Sequence, residues 1–282
     1  MKGLMDLSKA LEVATATDPG MVRSHNEDSI AADAASGFVI LADGMGGYNA
    51  GEVASGIAAA LLGTNLKQVL ASAEPGWIEP ESGEPLAVKI LREQIAGANA
   101  SIYQAARSQP QYAGMGTTLV VGLFYDNRLC VAHIGDSRLY RLRQDEFKQI
   151  TRDHSLLQEQ IDSGMITEQM AKVSHNKNLV TRALGIDPEV EPEIHTHEVE
   201  AGDIYLLCSD GLSDMVEDGE ISLTLSSLQA NVQLASQQLV QMANDNGGRD
   251  NVSVILVRVL RDFPARTDWI SRLLSWFRQA KA

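Results

Sequence analysis

Short apolar runs that stop at an aspartate recur along this chain of 282 residues. Residues 38–42, for example, are FVILA, and Asp43-Gly44 follows them directly. Apolar runs of this length between turn residues predict buried strands. Three more aspartates have a similar position: Asp136 follows "VAHIG", Asp210 follows "IYLLCS", and Asp250 directly precedes residues 251–259.

An aspartate at the end of a strand is held by a rigid element and still reaches an opening. Several such carboxylates in one cleft would repel one another unless cations lay between them. Hard cations such as Mg²⁺ and Mn²⁺ prefer these oxygen ligands. Asp-Gly is also a common turn, so each pair alone favours a turn over a ligand. Spacing leaves both interpretations open.

The remaining pattern predicts an α+β fold. Between residues 117 and 143, β-rich runs alternate with turn residues such as Asp126-Asn127 and Gly135-Asp136, which is typical of antiparallel hairpins. Helical spacing occupies residues 50–70, 86–107 and 231–244. Hairpin strands together with pairs of helices predict antiparallel sheets that are covered by helices.

Composition narrows the classes of function. The formal net charge is −14, which makes the chain a poor binder of nucleic acid, because phosphate would be repelled. Cys130 and Cys208 both lie in apolar runs, which predicts buried, reduced thiols. The first residues lack the apolar core of a signal peptide, and no apolar run reaches the length of a membrane span. These features predict a soluble, cytoplasmic protein.

A series of motifs resembles the protein phosphatase 2C-type (PPM) family in its compact bacterial form. In order, the motifs are "RSHNEDS", "LADGMGGYNAGEVAS", "GMGTTL", "AHIGDSRLYRL", "TRDHS", "LCSDGLSDMV" and "GGRDNVSVI". They follow the family's order and extend over roughly residues 14–259. The resemblance implies an α-β-β-α fold, in which two antiparallel sheets form a sandwich flanked by helix pairs.

The same resemblance assigns roles to acidic residues by position. It implies that Asp43 bridges two metal ions and that the Gly44 carbonyl, Asp210 and Asp250 complete the pair of sites. It implies that Glu27 and Asp28 act mainly through bound water. Arg23 would bind the substrate phosphate, as a guanidinium can hold two phosphate oxygens at once. Asp136, together with Asp210, resembles the ligands of a third, weaker metal site.

The implied activity is that of a protein serine/threonine phosphatase. Two Mn²⁺ or Mg²⁺ ions would activate a water that attacks phosphorus in line, without a phosphoenzyme. The implied partners are phosphorylated Ser/Thr proteins, including a eukaryotic-like Ser/Thr kinase and its substrates. A catalytically inactive phosphoprotein-binding or scaffolding relative is the alternative, and the complete set of ligands argues against it.

One position departs from many eukaryotic relatives, in which a histidine follows the Asp-Gly pair and protonates the leaving group. Met45 stands there in this chain, which leaves water, His25 or His154 as candidate acids. Other phosphatase chemistries lack their motifs. A cysteine phosphatase needs arginine six residues after its cysteine, but Cys208 is followed there by Asp214.

We predict a phosphatase domain over residues 1–262, with a variable flap at about 155–180. Residues 263–282 place aromatic and aliphatic side chains at helical spacing opposite basic ones, which predicts a basic amphipathic helix. Packing of its apolar face on the protein itself is favoured slightly over contact with an anionic membrane surface.

Overall fold

Two antiparallel sheets pack face to face in the computed structural model, which describes residues 6–47, 50–80, 82–172, 174 and 179–265. In spatial order, the strands of the first sheet are β1 (Leu11–Asp18), β11 (Val252–Val259), β10 (Ile204–Cys208), β7 (Arg138–Arg143) and β8 (Glu146–Gln149). Those of the second are β2 (Asp28–Asp33), β3 (Phe38–Met45), β5 (Leu119–Tyr125), β6 (Arg128–Ile134) and β9 (Glu193–Glu198). A short strand, β4 (Gly116–Thr117), pairs with the end of β3.

Helices cover both outer faces of the sandwich. The second sheet carries α1 (Ala50–Leu70) and α2 (Leu86–Ser108), and a single 3-10 turn, Pro110–Tyr112, follows them. The first sheet carries α5 (Asp210–Ser213), α6 (Asp218–Ser227) and α7 (Val232–Asp245). This arrangement confirms the predicted α-β-β-α sandwich and places the three long helices within a residue or two of their predicted bounds.

Strand alternation generates three hydrophobic layers. In β3, Val39 and Leu41 face the other sheet, whereas Phe38 and Ile40 face the helices. Successive strand residues point to opposite faces, so a strand buried on both sides must be apolar throughout. The same alternation along β10 and β11 separates the layer between the sheets from the layer beneath α5, α6 and α7.

The first helix is an apolar core helix. By length and composition alone α1 could cross a membrane, and within the described residues it is the one helix with this property. Here Ala54, Ala58, Leu62 and Leu66 bury one face against the sheet and α2. Their spacing of four residues places them on one side of the helix.

One predicted strand boundary is wrong, and the first strand was not predicted. β3 does not stop at Ala42 but continues through Asp43 to Met45, because β2 and β4 supply hydrogen-bonding partners on both sides. The Asp43-Gly44 pair is thus a strand segment and not a turn. β1 was unpredicted, since its alternating "LEVATATD" contains few large apolar residues.

The structure describes parts of the predicted flap and of the predicted C-terminal helix. The predicted flap contains α3 (Leu156–Asp162) and α4 (Glu168–Lys172). At the other end, residues 263–265 are not helical, and Phe263 is buried in the layer between the sheets. The rest of the predicted amphipathic helix, residues 266–282, lies outside the described residues.

Candidate metal centre

Asp43 lies near the end of β3, and its backbone is fixed by hydrogen bonds to Thr117 and Thr118 and by pairing with β2. Its amide donates to the Thr118 hydroxyl at 3.1 Å, and its carbonyl accepts from the Thr118 amide and the Thr117 hydroxyl, both at 2.9 Å. On the opposite side Asp43 pairs with Asp28 of β2. Directly opposed residues of an antiparallel pair present their side chains on the same face.

Asp28 is buried with one oxygen bound and one oxygen unpaired. The Ser209 hydroxyl donates to Asp28 Oδ2 at 2.9 Å and itself accepts from the Ser253 amide at 3.0 Å. Asp28 Oδ1 is buried and has no hydrogen-bond donor among the described residues. A buried carboxylate oxygen without a donor is costly, unless a cation compensates it.

Three further aspartates reach the same region from other parts of the chain. Asp210 begins α5 directly after β10, Asp136 lies in the connection from β6 to β7, and Asp250 directly precedes β11. The negative charges of Asp28, Asp210, Asp136 and Asp250 all act on Asp43. The structure therefore brings together the carboxylates that the sequence placed at separate strand ends.

Burial and nearby negative charge raise the pKa values of four carboxyl groups in the cluster, those of Asp28, Asp43, Asp136 and Asp210. Burial comes first in each case, and it raises the pKa of Asp28 and of Asp136 to about 6. Burial, followed by the neighbouring carboxylates, raises the pKa values of Asp43 and Asp210 well above the usual range. The cluster cannot carry its full negative charge at neutral pH without bound cations.

The donor set fits divalent cations of the Mg²⁺ and Mn²⁺ type. It consists of carboxylate oxygens, which hard cations prefer, and includes the unpaired Asp28 Oδ1. Gly44 adds a close approach of backbone, because a Cβ there would collide with the Gly51 carbonyl oxygen and lie 2.7 Å from the Glu27 carbonyl oxygen. Only glycine fits at this position.

Arg23 and Glu27 lie at the open side of the cluster. Arg23 Nη2 donates to Asp250 Oδ2 at 2.7 Å, while half of the Arg23 side chain, 51%, stays exposed. Asp250 is the main cause of a raised Arg23 pKa, and Glu27 and Asp210 contribute. Burial raises the pKa of Glu27, which feels the charges of Arg23 and Asp250. Both residues therefore adjoin the cluster.

Two neutral positioning residues, Asn251 and Ser209, and one further acid, Asp214, were not singled out from the sequence. Asn251 Oδ1 accepts from the Glu27 amide at 2.8 Å, while its Nδ2 donates to the carbonyls of Pro19 and His25. Ser209 holds Asp28, as described above. Asp214, one turn after Asp210, raises the pKa values of Asp136 and Asp210. A strand-end pattern identifies acids but not the neutral groups that hold them.

A separate cluster joins His133, His154 and Glu193, each with one potential ligand atom within 4.8 Å of the others. The rings of the two histidines stack with centroids 4.7 Å apart and planes 17° apart, so their in-plane lone pairs do not converge on one point. His154 Nδ1 accepts from the Gly135 amide at 3.2 Å, and its Nε2 lies 3.3 Å from Glu193 Oε2. These contacts form a hydrogen-bonded network and support a structural role for His154.

His195 and His197 lie on β9, an edge strand of the second sheet, where His195 is exposed and His197 is half-buried. His195 Nε2 is 2.7 Å from Glu193 Oε1. Both cysteines are buried and unpaired, and burial raises the pKa of Cys130 to about 11 and that of Cys208 to about 12. Neither thiol is suited to nucleophilic catalysis.

Curated relatives are protein phosphatases. The chain is 43% identical over 251 residues to the serine/threonine protein phosphatase PstP of Mycobacterium tuberculosis, which covers 89% of this chain and 45% of PstP. The chain thus spans about half the length of that relative. It is 36% identical over 256 residues to the protein phosphatase PhpP of Streptococcus pneumoniae, covering 88% of this chain and 97% of PhpP.

Solved structures agree in fold. A crystal structure of the Mycobacterium tuberculosis serine/threonine phosphatase PstP/Ppp gives a TM-score of 0.80 at 40% identity, covering 89% of this chain and 100% of that one. A crystal structure of the catalytic domain of PstP in complex with two manganese ions gives a TM-score of 0.77 at 39% identity, and the match covers 89% of this chain and 99% of that one.

A family model supplies the same assignment over most of the chain. The model described as "Protein phosphatase 2C" matches residues 22–253. The match begins one residue before Arg23 and ends three residues after Asp250, so it contains every residue of the acidic cluster. The chain belongs to the protein phosphatase 2C family.

Proposed function

We propose that this chain is a metal-dependent protein serine/threonine phosphatase that hydrolyses phosphoserine and phosphothreonine. One observation carries the proposal: Asp43 is half-buried, and four other carboxylates from separate parts of the chain, two of them buried, all act on it electrostatically. Burial of so much negative charge is unfavourable in a protein without cations, but it suits a site that binds them.

Asp43, the Gly44 carbonyl, Asp210 and Asp250 would hold two Mn²⁺ or Mg²⁺ ions, with Glu27 and Asp28 contributing through water. Asp136 and Asp210 would hold a third ion, and Asp214 adds negative charge beside them. When bound, such a pair of cations activates a water nucleophile and offsets the charge on the phosphoryl oxygens.

Arg23 would orient the substrate. Its ion pair with Asp250 fixes the guanidinium at the edge of the cluster, and its exposed half remains accessible to a phosphate. A guanidinium offers two parallel donors to two phosphate oxygens, which aligns the phosphorus with respect to the cluster. Positioning of this kind is a large part of catalysis of phosphoryl transfer.

The leaving oxygen needs a proton, and Met45 cannot supply it. His154 is buried, and both of its ring nitrogens are engaged by Gly135 and Glu193. His25 is exposed, and its charge acts on Glu27. Protonation by His25 or by water therefore fits the geometry better than protonation by His154.

The proposed partners are phosphorylated Ser/Thr proteins, including a eukaryotic-like kinase and its targets. The proposed location is the cytoplasm, and two buried, unpaired cysteines support a reducing compartment. Contact of residues 266–282 with a membrane surface stays a separate proposal. Co-sedimentation with anionic liposomes, compared with a chain ending at residue 265, tests it.

Turnover of a phosphothreonine peptide tests the activity. We expect hydrolysis with Mn²⁺ or Mg²⁺, none with excess EDTA, and a loss of at least about a hundredfold in Asp43→Asn, since an amide is a poorer cation ligand. A matched control is Asp33→Asn, at the other end of β2, which keeps full activity. Equal inactivity of the unmodified chain and Asp43→Asn at saturating metal would favour the non-catalytic, phosphoprotein-binding alternative.

A further inference from the structure

A groove lies between the end of α2 and the segment that follows the flap. Its cavity measures about 490 Å³. Pockets that hold small ligands occupy about 300–1,000 Å³. Its walls are mostly apolar or glycine, and they include Tyr103, Ala106, Arg107, Gly114, Gly185 and Ile186.

The groove carries a positive charge in an acidic protein. Arg107 Nη1 donates to the Tyr103 hydroxyl at 2.9 Å, and the guanidinium lies 5.6 Å from the centre of the Tyr103 ring. Both contacts are with a neutral group. Within the described part of the chain Arg107 has no ion-pair partner, and none of the groove's described lining residues is acidic. A carboxylate that entered the groove would meet a cation already held in place by Tyr103.

The groove is continuous with the loop that follows Asp43. Met45 pairs with Gly116 across β3 and β4. A Cβ on Gly46 would lie 3.4 Å from Met115 Cα, and Gly114, the residue before Met115, lines the groove. A Cβ on Gly116 would lie 2.9 Å from Ile186 Cδ1, which forms the opposite wall.

The groove also presents an apolar side chain to solvent. Ile186 is 47% exposed although Gly185, beside it, is buried. Gly185 has a φ of +85°, and a Cβ there would lie 3.2 Å from the Met115 carbonyl oxygen. The backbone that carries Ile186 is thus fixed against the core, while the side chain itself faces the groove opening.

We propose that this groove binds the polypeptide that flanks the phosphorylated residue of the substrate, with an acidic side chain on Arg107 and an apolar one against Ile186 and Ala106. The proposal rests on the proposed phosphatase activity and names its substrate class. The metal centre would bind the phosphate of any phosphopeptide, whereas the groove selects those with an acidic and an apolar flank.

Two matched variants on one helix test the role of Arg107. Arg107→Gln removes the charge in the groove. Arg92→Gln is the control: it removes another charge of α2, which pairs with Glu84 and does not line the groove. The probes are phosphothreonine peptides in which a single glutamate is moved one position at a time to either side, and the same peptides with lysine. Turnover of p-nitrophenyl phosphate, which has no flank, reports on the metal centre alone.

We expect Arg107→Gln to raise KM about fivefold for the peptides with glutamate in the register that reaches the groove, with kcat unchanged, as for a partly exposed ion pair. Arg107→Glu should reverse the preference between glutamate and lysine. Ile186→Ser should raise KM for every peptide that has an apolar side chain beside the phosphorylated residue. Turnover of p-nitrophenyl phosphate and all kinetics of Arg92→Gln should be unchanged.

Binding of a peptide that carries a non-hydrolysable phosphonate, measured by fluorescence anisotropy with Mn²⁺, gives the same comparison without turnover. The groove proposal is overturned if Arg107→Glu binds glutamate and lysine peptides in the same ratio as the unmodified chain. Failure of the unmodified chain to hydrolyse any substrate overturns the phosphatase proposal instead. In that event the phosphonate peptides still decide whether the groove binds acidic flanks.

Discussion

Asp28 and Asp43 are paired directly across β2 and β3, so that a buried acid and a half-buried acid occupy one rung of an antiparallel ladder. Like charges in this position destabilise a sheet. The strands nevertheless form a regular pair from this rung to Asp33 and Phe38 at the other end. The fold therefore retains a local repulsion that bound cations would relieve.

The first prediction concerns stability without metal. Asp43→Asn keeps the shape of the side chain and removes the charge that repels Asp28, so it should raise the thermal midpoint in EDTA. A gain of about 1–2 kcal/mol corresponds to roughly 2–4 °C for a chain of this size. Thermal denaturation followed by circular dichroism measures it, with and without Mn²⁺.

Asp33→Asn is the matched control, because it alters the same strand pair at its far end. Asp33 pairs with Lys67 at 2.8 Å and accepts from the Ser36 amide, so its replacement should lower stability or leave it unchanged. A lower midpoint for Asp43→Asn than for the unmodified chain in EDTA would contradict the repulsion. Asp43→Asn should also lose the stabilisation by Mn²⁺.

The second prediction is the pH dependence of the metal-free protein. The pKa values of Asp28 and Asp136 are raised to about 6 from an ordinary 3.8, mainly by burial. Between these values the folded protein binds more protons than the unfolded chain, so stability falls as pH rises. Stability from these groups is present below about pH 4 and is lost as pH rises through about 6.

Thermal midpoints in EDTA should therefore decrease between pH 5 and pH 7, by about 2–3 °C for each of the two groups that retains its shift. With saturating Mn²⁺ the trend should reverse, because protons then compete with the cations for the same carboxylates. A midpoint in EDTA that rises over this interval would show that these acids are not strained at neutral pH.

The third prediction separates the phosphate-binding role of Arg23 from its role in the fold. Arg23→Lys keeps the charge next to Asp250 but replaces two parallel donors by a single ammonium. We expect kcat/KM for a phosphothreonine peptide to fall about tenfold to a hundredfold. The thermal midpoint should barely change, because a half-exposed ion pair contributes at most about 1 kcal/mol.

Arg152→Lys, on the exposed surface near the flap, is a suitable control for the loss of a guanidinium. It should leave kcat/KM within about twofold of the unmodified chain, as surface substitutions usually do. If Arg23→Lys retained full activity, the guanidinium would be dispensable for phosphate binding. If it lost stability and activity together, the Asp250 contact would be the more important role of Arg23.

Much of the architecture follows from local patterns in the sequence. The apolar runs around Leu41 and Leu207 alternate between two buried layers, and α1 and α2 keep one apolar face each, so strands and helices were predictable from periodicity. The family motifs then supplied what periodicity could not, namely that Asp43, Asp210 and Asp250 converge. Local spacing contains no information on contacts between residues that are more than a hundred positions apart.

The misses have the same physical cause. Asp43 lies within β3 and not after it because β4, more than seventy residues later, adds hydrogen bonds to Gly44 and Met45. The groove at Arg107 depends on a segment near Gly185 that reaches α2 through tertiary packing. Neutral residues such as Ser209 have no distinctive pattern, although their hydrogen bonds hold the acids in place.

The last prediction concerns Asn251, which is 5% exposed and connects β11 to three backbone groups in the connection between β1 and β2. Its side chain accepts from the Glu27 amide and donates to the carbonyls of Pro19 and His25, at 2.8, 3.0 and 2.8 Å. Asn251→Ala leaves these backbone groups without a partner, at a cost of about 2–4 kcal/mol. It should also weaken Mn²⁺ binding, because the segment that carries Arg23, Glu27 and Asp28 is no longer held against β11.

Asn246→Ala is the matched control, since this exposed asparagine makes one hydrogen bond, to the Met215 carbonyl. Its loss should cost less than about 1 kcal/mol and leave Mn²⁺ affinity unchanged. Isothermal titration with Mn²⁺ and chemical denaturation in EDTA give the two quantities separately. Asn251→Ala that loses stability yet binds Mn²⁺ with unchanged affinity would show that β2 and β3 alone position the acids, and that Asn251 serves only the fold.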